Sequence, residues 1–226
     1  MVLPAACLFD LDGLLLDTEP LHARAWQQAA RHFGRELNAE ELMALRGRRR
    51  LDCADQVRGW IAADGGPALS SAELLAVRQP IAEALLVQAP PMAGAPELVE
   101  HCHRQGIPMA LATSSSREAV ALKAAPHPWL ERIGVRVHGD DPELERGKPA
   151  PDVFLLAAQR LGVLAAACWA FEDSPAGAAA ATAAGCRVHV LPPPHLDGAA
   201  LECSYPGGHT LLRDLHQVIR ALEAAQ

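Results

Sequence analysis

Five short runs of β-branched or apolar residues limit what this chain can fold into: Ala5–Phe9, Pro108–Ala112, Val135–His138, Cys168–Phe171 and Arg187–Leu191. Helical patterns separate most of them, at Pro96–Gln105, Pro151–Leu161 and Ala176–Ala184. Gly106, Gly162 and Gly185 stop these three, as glycine does when a helix ends in a left-handed residue. Apolar strands alternating with helices imply a parallel sheet covered on both faces. The alternation breaks once. From about Thr18 to Gln88 no strand is evident, and helical patterns fall at Leu21–Phe33, Ala39–Leu45, Leu51–Ala63 and Ser71–Val87. Thr18 or Asp17 is placed to cap the first of these, with Pro20 in its first turn. "QAPPMAGAP" closes the stretch with three prolines and a glycine. The expected fold is therefore α/β: a parallel sheet of five or more strands built from residues 1–16 and 90–226, with a helical unit of residues 17–89 inserted after the first strand.

A chain of 226 residues is long enough for that arrangement. Its net charge of −7 argues against a general nucleic-acid binder and leaves room for a local basic pocket. No apolar run approaches the roughly 20 residues that span a bilayer, so no membrane partner is expected. Met1 to Leu8 is too short for a signal peptide. With six cysteines and no C-x-x-C pair, a cytoplasmic protein with reduced thiols is the simple expectation. His101, Cys102 and His103 do not make a metal site, because helical neighbours two apart point in different directions; they read as surface.

The chemistry concentrates at strand ends. "LFDLDG" places Asp10 and Asp12 where the first strand stops, at the sheet edge where ligands bind in open α/β folds. Two such carboxylates repel unless a cation or a shared proton relieves them. An ordinary Asp-Gly turn is the competing reading. "WAFEDSPAG" ends another strand with Glu172 and Asp173, although Asp173 or Ser174 alone reads equally as a helix cap. Together the carboxylates make a hard oxygen site of the kind Mg²⁺ prefers. "ALATSSSRE" offers the Thr113 hydroxyl and the main chain around Ser114 to an anion, or simply caps a helix. Lys148, between Gly147 and Pro149, is either a phosphate ligand or a solvated lysine.

In chain order, DLDG, Thr113, Lys148 in GKP and EDSPAG resemble the haloacid dehalogenase-like (HAD) hydrolases over nearly the whole chain. The resemblance implies a Rossmann-like core with strand order 5-4-1-2-3 and a helical cap over the active site. It implies that Asp10 is the nucleophile, forming an aspartyl-phosphate, and Asp12 the general acid and base. It further implies Mg²⁺ on the Asp10 carboxylate, the Asp12 main-chain carbonyl and Asp173, with Glu172 as ligand or support. Thr113 and Lys148 would hold the phosphoryl oxygens. A phosphatase is implied rather than a dehalogenase, because that branch needs no Mg²⁺ and lacks the Asp12-type acid.

"DTEPLHARAW" and "LRGRRR" resemble the β-phosphoglucomutase-like and CbbY-like branch, whereas "GDDPELERGKPAPDVF" resembles the pseudouridine-5′-phosphatase and sugar-phosphate phosphatase branch. His22 matches a histidine that couples cap closure to catalysis in the mutase. It also shares a helical face with Trp26, Ala30 and Phe33, so packing is the alternative. Arg46, Arg48, Arg49 and Arg50 form either a solvated face or a substrate contact, the latter through Arg46 or Arg50. The expected activity is hydrolysis of a small phosphorylated metabolite by a monomer or weak homodimer. A phosphomutase is the first alternative and a non-catalytic binding protein the second.

Overall fold

The computed structural model describes residues 3–194, 196, 198–205, 207 and 209–225. The chain opens with β1 (Ala6–Phe9) and then runs through α1 (Glu19–His32), α2 (Ala39–Ala44), α3 (Arg50–Ala63) and α4 (Ser71–Leu86). Strand–helix alternation follows: α5 (Ala95–Arg104), β2 (Met109–Ala112), α6 (Arg117–Ala124), β3 (Val135–Val137), α7 (Asp152–Arg160), β4 (Cys168–Glu172), α8 (Pro175–Ala183) and β5 (Arg187–Val190). α9 (Gly198–Ser204), β6 (Thr210–Leu211) and α10 (His216–Glu223) complete it. The sheet is parallel, in the order β3-β2-β1-β4-β5-β6. The five expected strands all form, in the expected order, and β6 adds a sixth at the edge.

The period of two along each strand divides the core. Cys7, Phe9, Leu111, Trp169 and Phe171 point to one face, where α5 and α10 cover them. Ala6, Leu8, Ala110, Ala112 and Ala170 point to the other, against α7 and α8. Alanines dominate the second face, so the alanine-rich α8 can lie close to the strands. Phe9 and Phe171 pair across β1 and β4 with ring centroids 5.0 Å apart.

The helical segment has an apolar cluster of its own, from Trp26 and Ala30 through Val57 and Ile61 to Leu74. Reciprocal capping boxes start two of its helices, Asn38 with Glu41 and Ser70 with Glu73. The chain leaves and rejoins the sheet at adjacent points: Asp17 N–H donates to Pro90 O (2.8 Å) and Met92 N–H donates to Leu15 O (3.0 Å).

Two expectations are corrected. Thr18 precedes α1 but makes no capping bond; its hydroxyl donates instead to Asp12. His101 and Cys102 are buried rather than superficial, because α5 presses Ala95, Leu98, Val99 and Cys102 onto the sheet; of the three residues only His103 is exposed.

Candidate active site

The site lies at the carboxyl ends of β1, β2 and β4, beneath the helical segment. β1 stops at Phe9, but Asp10 N–H still donates to Phe171 O (3.1 Å), which fixes Asp10 against β4. Thr113 extends β2 in the same way, with its N–H donating to Val137 O (3.1 Å). Gly13 turns the chain with φ +84°, and a Cβ there would lie 2.2 Å from Asp173 Oδ2. Only glycine lets the chain pass this close to the acidic loop. Leu14, Leu15 and Leu16 then bury themselves completely.

Asp10 and Asp12 do not share a partner. Lys148, buried and followed by a cis bond to Pro149, donates from Nζ to Asp10 Oδ1 (2.6 Å), to Ala112 O (3.0 Å) and to Glu172. The ammonium's loss of water is outweighed by the two carboxylates, which hold its pKa above the ordinary value. Asp12 Oδ1 accepts from Thr18 Oγ1 (2.7 Å), His22 Nε2 (3.2 Å) and Lys123 Nζ (2.6 Å). Its Oδ2 accepts from Ser115 Oγ (2.7 Å) and again from Lys123 (2.6 Å). Burial alone would raise the Asp12 carboxyl; Lys123 and His22 overcome it and hold it well below the usual range. Arg78 Nη2 donates to His22 Nδ1 (2.8 Å). A guanidinium only donates, so Nδ1 accepts and Nε2 carries the proton offered to Asp12. His22 therefore faces the site.

Asp10, Glu172 and Asp173 bring carboxylate oxygens within 4.8 Å of one another, the metal-capable cluster found among the described residues. Burial pushes Asp10 up to about 7, with Glu172 and Asp12 adding to the rise and Lys148 opposing it. Burial likewise pushes Asp173 up to about 7, opposed by Arg46 and reinforced by Asp10. Asp173 Oδ1 is buried without a hydrogen-bond partner. An orphaned oxygen beside crowded, proton-seeking carboxylates suits a small hard cation. Glu172 differs: Oε1 is held by Lys148, and Oε2 accepts from Ser174 Oγ (3.1 Å) and Asp173 N–H (3.3 Å). That pattern fits a supporting carboxylate. Tyr205, from just beyond α9, donates its buried hydroxyl to Asp173 O and anchors the same loop.

The arginine loop lies on top. Arg46 bonds Asp173 through Nη2, and its Nε stands 3.0 Å from Glu19 Oε2. A Cβ on Gly47 would lie 2.0 Å from Ser174 Oγ, and Gly47 O accepts from Ser114 Oγ (2.8 Å). The Ser114 hydroxyl thus ties the core to the helical segment. Arg49 crosses Gly147, and Arg50 is exposed, donating to Gln79 Oε1 (2.9 Å) at the margin. Thr113 is buried, with Oγ1 accepting from Ser115 N–H (3.1 Å). Asp10, Asp12, His22, Arg46, Thr113 and Lys123 are among the residues that line a cavity of about 930 Å³ shared by core and helical segment.

Sequence reasoning missed Lys123, Arg78, Glu19, Ser115 and Tyr205. Two of them had a local signal: Ser115 lies within "ALATSSSRE", and Glu19 within "DTEP". Lys123 and Arg78 sit inside helices and carry no local mark of a buried position.

The chain is similar to known proteins in sequence and in fold. The haloacid dehalogenase-like hydrolase family matches residues 4–185. A probable pseudouridine-5′-phosphatase of Drosophila melanogaster is 37% identical over 197 residues, 84% of this chain and 82% of that protein. A fructose-1-phosphate phosphatase of Escherichia coli is 36% identical over 182 residues, 80% of this chain and 93% of that one. The crystal structure of CbbY from Rhodobacter sphaeroides in complex with phosphate superimposes with a TM-score of 0.78 at 26% identity, covering 98% of this chain and 100% of that one.

Proposed function

The chain belongs to the haloacid dehalogenase-like hydrolases, and on that premise we propose that it is a Mg²⁺-dependent phosphatase of small phosphorylated metabolites, of the sugar-phosphate or nucleoside-monophosphate type. One observation carries the reading: Asp10, Lys148 and Asp173, from three separate stretches of sequence, meet at one sheet edge with Asp173 Oδ1 unpartnered.

Asp10, fixed by Lys148, attacks phosphorus, and the bond to the leaving oxygen breaks as an aspartyl-phosphate forms. Asp12, ionised before substrate arrives, takes up a proton as the substrate binds and gives it to the leaving oxygen, then takes one from the water that cleaves the aspartyl-phosphate. Thr113 and Lys148 hold the phosphoryl oxygens and offset the charge that gathers on them. Mg²⁺, held by the Asp10 and Asp173 carboxylates and the Asp12 main-chain carbonyl, would supply positive charge against the phosphoryl group. Residues 17–89 would act as the cap, and Arg46, Arg50 and Ser114, which line the cavity, would read the rest of the substrate. The enzyme would work in the cytoplasm as a monomer or weak homodimer.

The test is phosphate release over a panel of sugar, polyol and nucleoside phosphates. Turnover should need Mg²⁺ and vanish in Asp10→Asn. Full activity in that variant would exclude the aspartyl-phosphate route. The Arg78–His22–Asp12 chain favours a second reading, a phosphomutase that returns the phosphoryl group to a sugar. Isomer conversion stimulated by a sugar bisphosphate, with little free phosphate, would decide for it.

A further inference from the structure

Lys123 lies in the core helix α6, is 1% exposed, and shares an inward face with Val120. A buried ammonium has three donors to satisfy. Lys123 directs them at Asp12 Oδ1 (2.6 Å), Asp12 Oδ2 (2.6 Å) and Ser115 Oγ (2.8 Å), and Ser115 itself donates to Asp12 Oδ2 (2.7 Å). Every polar contact of this side chain therefore serves one carboxylate. Packing alone would be met by leucine or methionine, which escape the cost of stripping water from a charge. Asp10 has a separate ammonium in Lys148. The other groups on Asp12, Thr18 and His22, belong to the stretch that starts the helical segment, whereas Lys123 and Ser115 belong to the sheet core. They grip Asp12 whatever position the helical segment takes.

We propose that Lys123 is a positioning residue, holding the Asp12 carboxylate by both oxygens in the one orientation from which it meets first the leaving oxygen and then the attacking water. The role rests on the phosphatase reading. Loss of that orientation hurts a reaction in proportion to its need for proton transfer. A sugar alkoxide needs a proton as it leaves; the p-nitrophenolate of p-nitrophenyl phosphate does not. For a substrate that leaves a covalent intermediate, kcat/KM reports only steps up to phosphoryl transfer onto Asp10.

The experiment compares wild type, Lys123→Met, Lys123→Arg and Ser115→Ala on the best sugar phosphate of the panel and on p-nitrophenyl phosphate. Lys123→Met should lose about 10²-fold in kcat/KM on the sugar phosphate while staying within about threefold on p-nitrophenyl phosphate. Its kcat on the latter should fall as phosphoenzyme accumulates, because water attack still needs Asp12. Lys123→Arg should recover part of the sugar-phosphate rate. Parallel losses in kcat/KM on both substrates, or no loss on either, overturn the role. Should circular dichroism find Lys123→Met unfolded, Ser115→Ala carries the same comparison: a loss confined to the sugar phosphate supports the role, and parallel losses or none overturn it. A wild-type protein that turns over neither substrate retires the phosphatase reading, and this role with it.

Discussion

Lys148 stands between Asp10 and Glu172, and all three side chains are buried. Removing one partner of a buried ion pair leaves an uncompensated charge. Lys148→Met should therefore abolish phosphate release and also lower stability by on the order of 3 kcal/mol in urea unfolding at neutral pH. Loss of activity with unchanged stability would mean that water already reaches the pair. At this scale Asp10, Thr113, Lys148, Glu172 and Asp173 were legible because each falls at a strand end or in a tight turn, where local sequence fixes the geometry. Lys123 and Arg78 were not, because the burial of a helical lysine or arginine is decided by what packs on the helix. The repulsion between Asp10 and Asp12, for which the sequence alone offers only a metal or a shared proton, is met by two ammoniums from separate elements.

The helices of the inserted segment were legible from their residue pattern, and the structure adds a reciprocal cap to two of them. Asn38 and Ser70 each carry a glutamate three residues on, and both boxes close in the structure. Ser70→Ala should cost about 1 kcal/mol of stability, read as a lower Tm, with kcat/KM unchanged because the cap lies at the exposed start of α4. A change in kcat/KM would tie the start of that helix to Arg78 at its middle. β6 escaped notice because two residues are too few to carry an alternation, and it pairs with β5 only through the folded chain around it. α1 shows the limit of capping logic: Thr18 has the right residue type, yet its hydroxyl satisfies Asp12, so the helix start gives way to the site.

The whole molecule carries an acidic balance that is sharpest where it is driest. Folding raises Asp10 and Asp173 to about 7 from an ordinary 3.8. Groups raised in this direction lend stability that is complete in acid and is lost as pH rises through about 7. Mg²⁺ bound as proposed would compete with protons for the same oxygens, so its stabilisation should grow as the protons leave. The Tm gain from saturating Mg²⁺ should be larger at about pH 8 than at about pH 5.5, and a chelator should reverse it. An equal gain at both values would place the ion elsewhere. The adjacent crossings at Asp17–Pro90 and Leu15–Met92 matter at this scale too. They close the inserted loop at its base, so doubling the loop's length costs only about 0.6 kcal/mol of chain entropy. Insertions, deletions or a wholesale graft between those two rungs leave the strand ladder untouched. On the proposed reading such a graft could change selectivity, provided it keeps Thr18, His22 and Arg46, which lie between the rungs and reach Asp12 and Asp173.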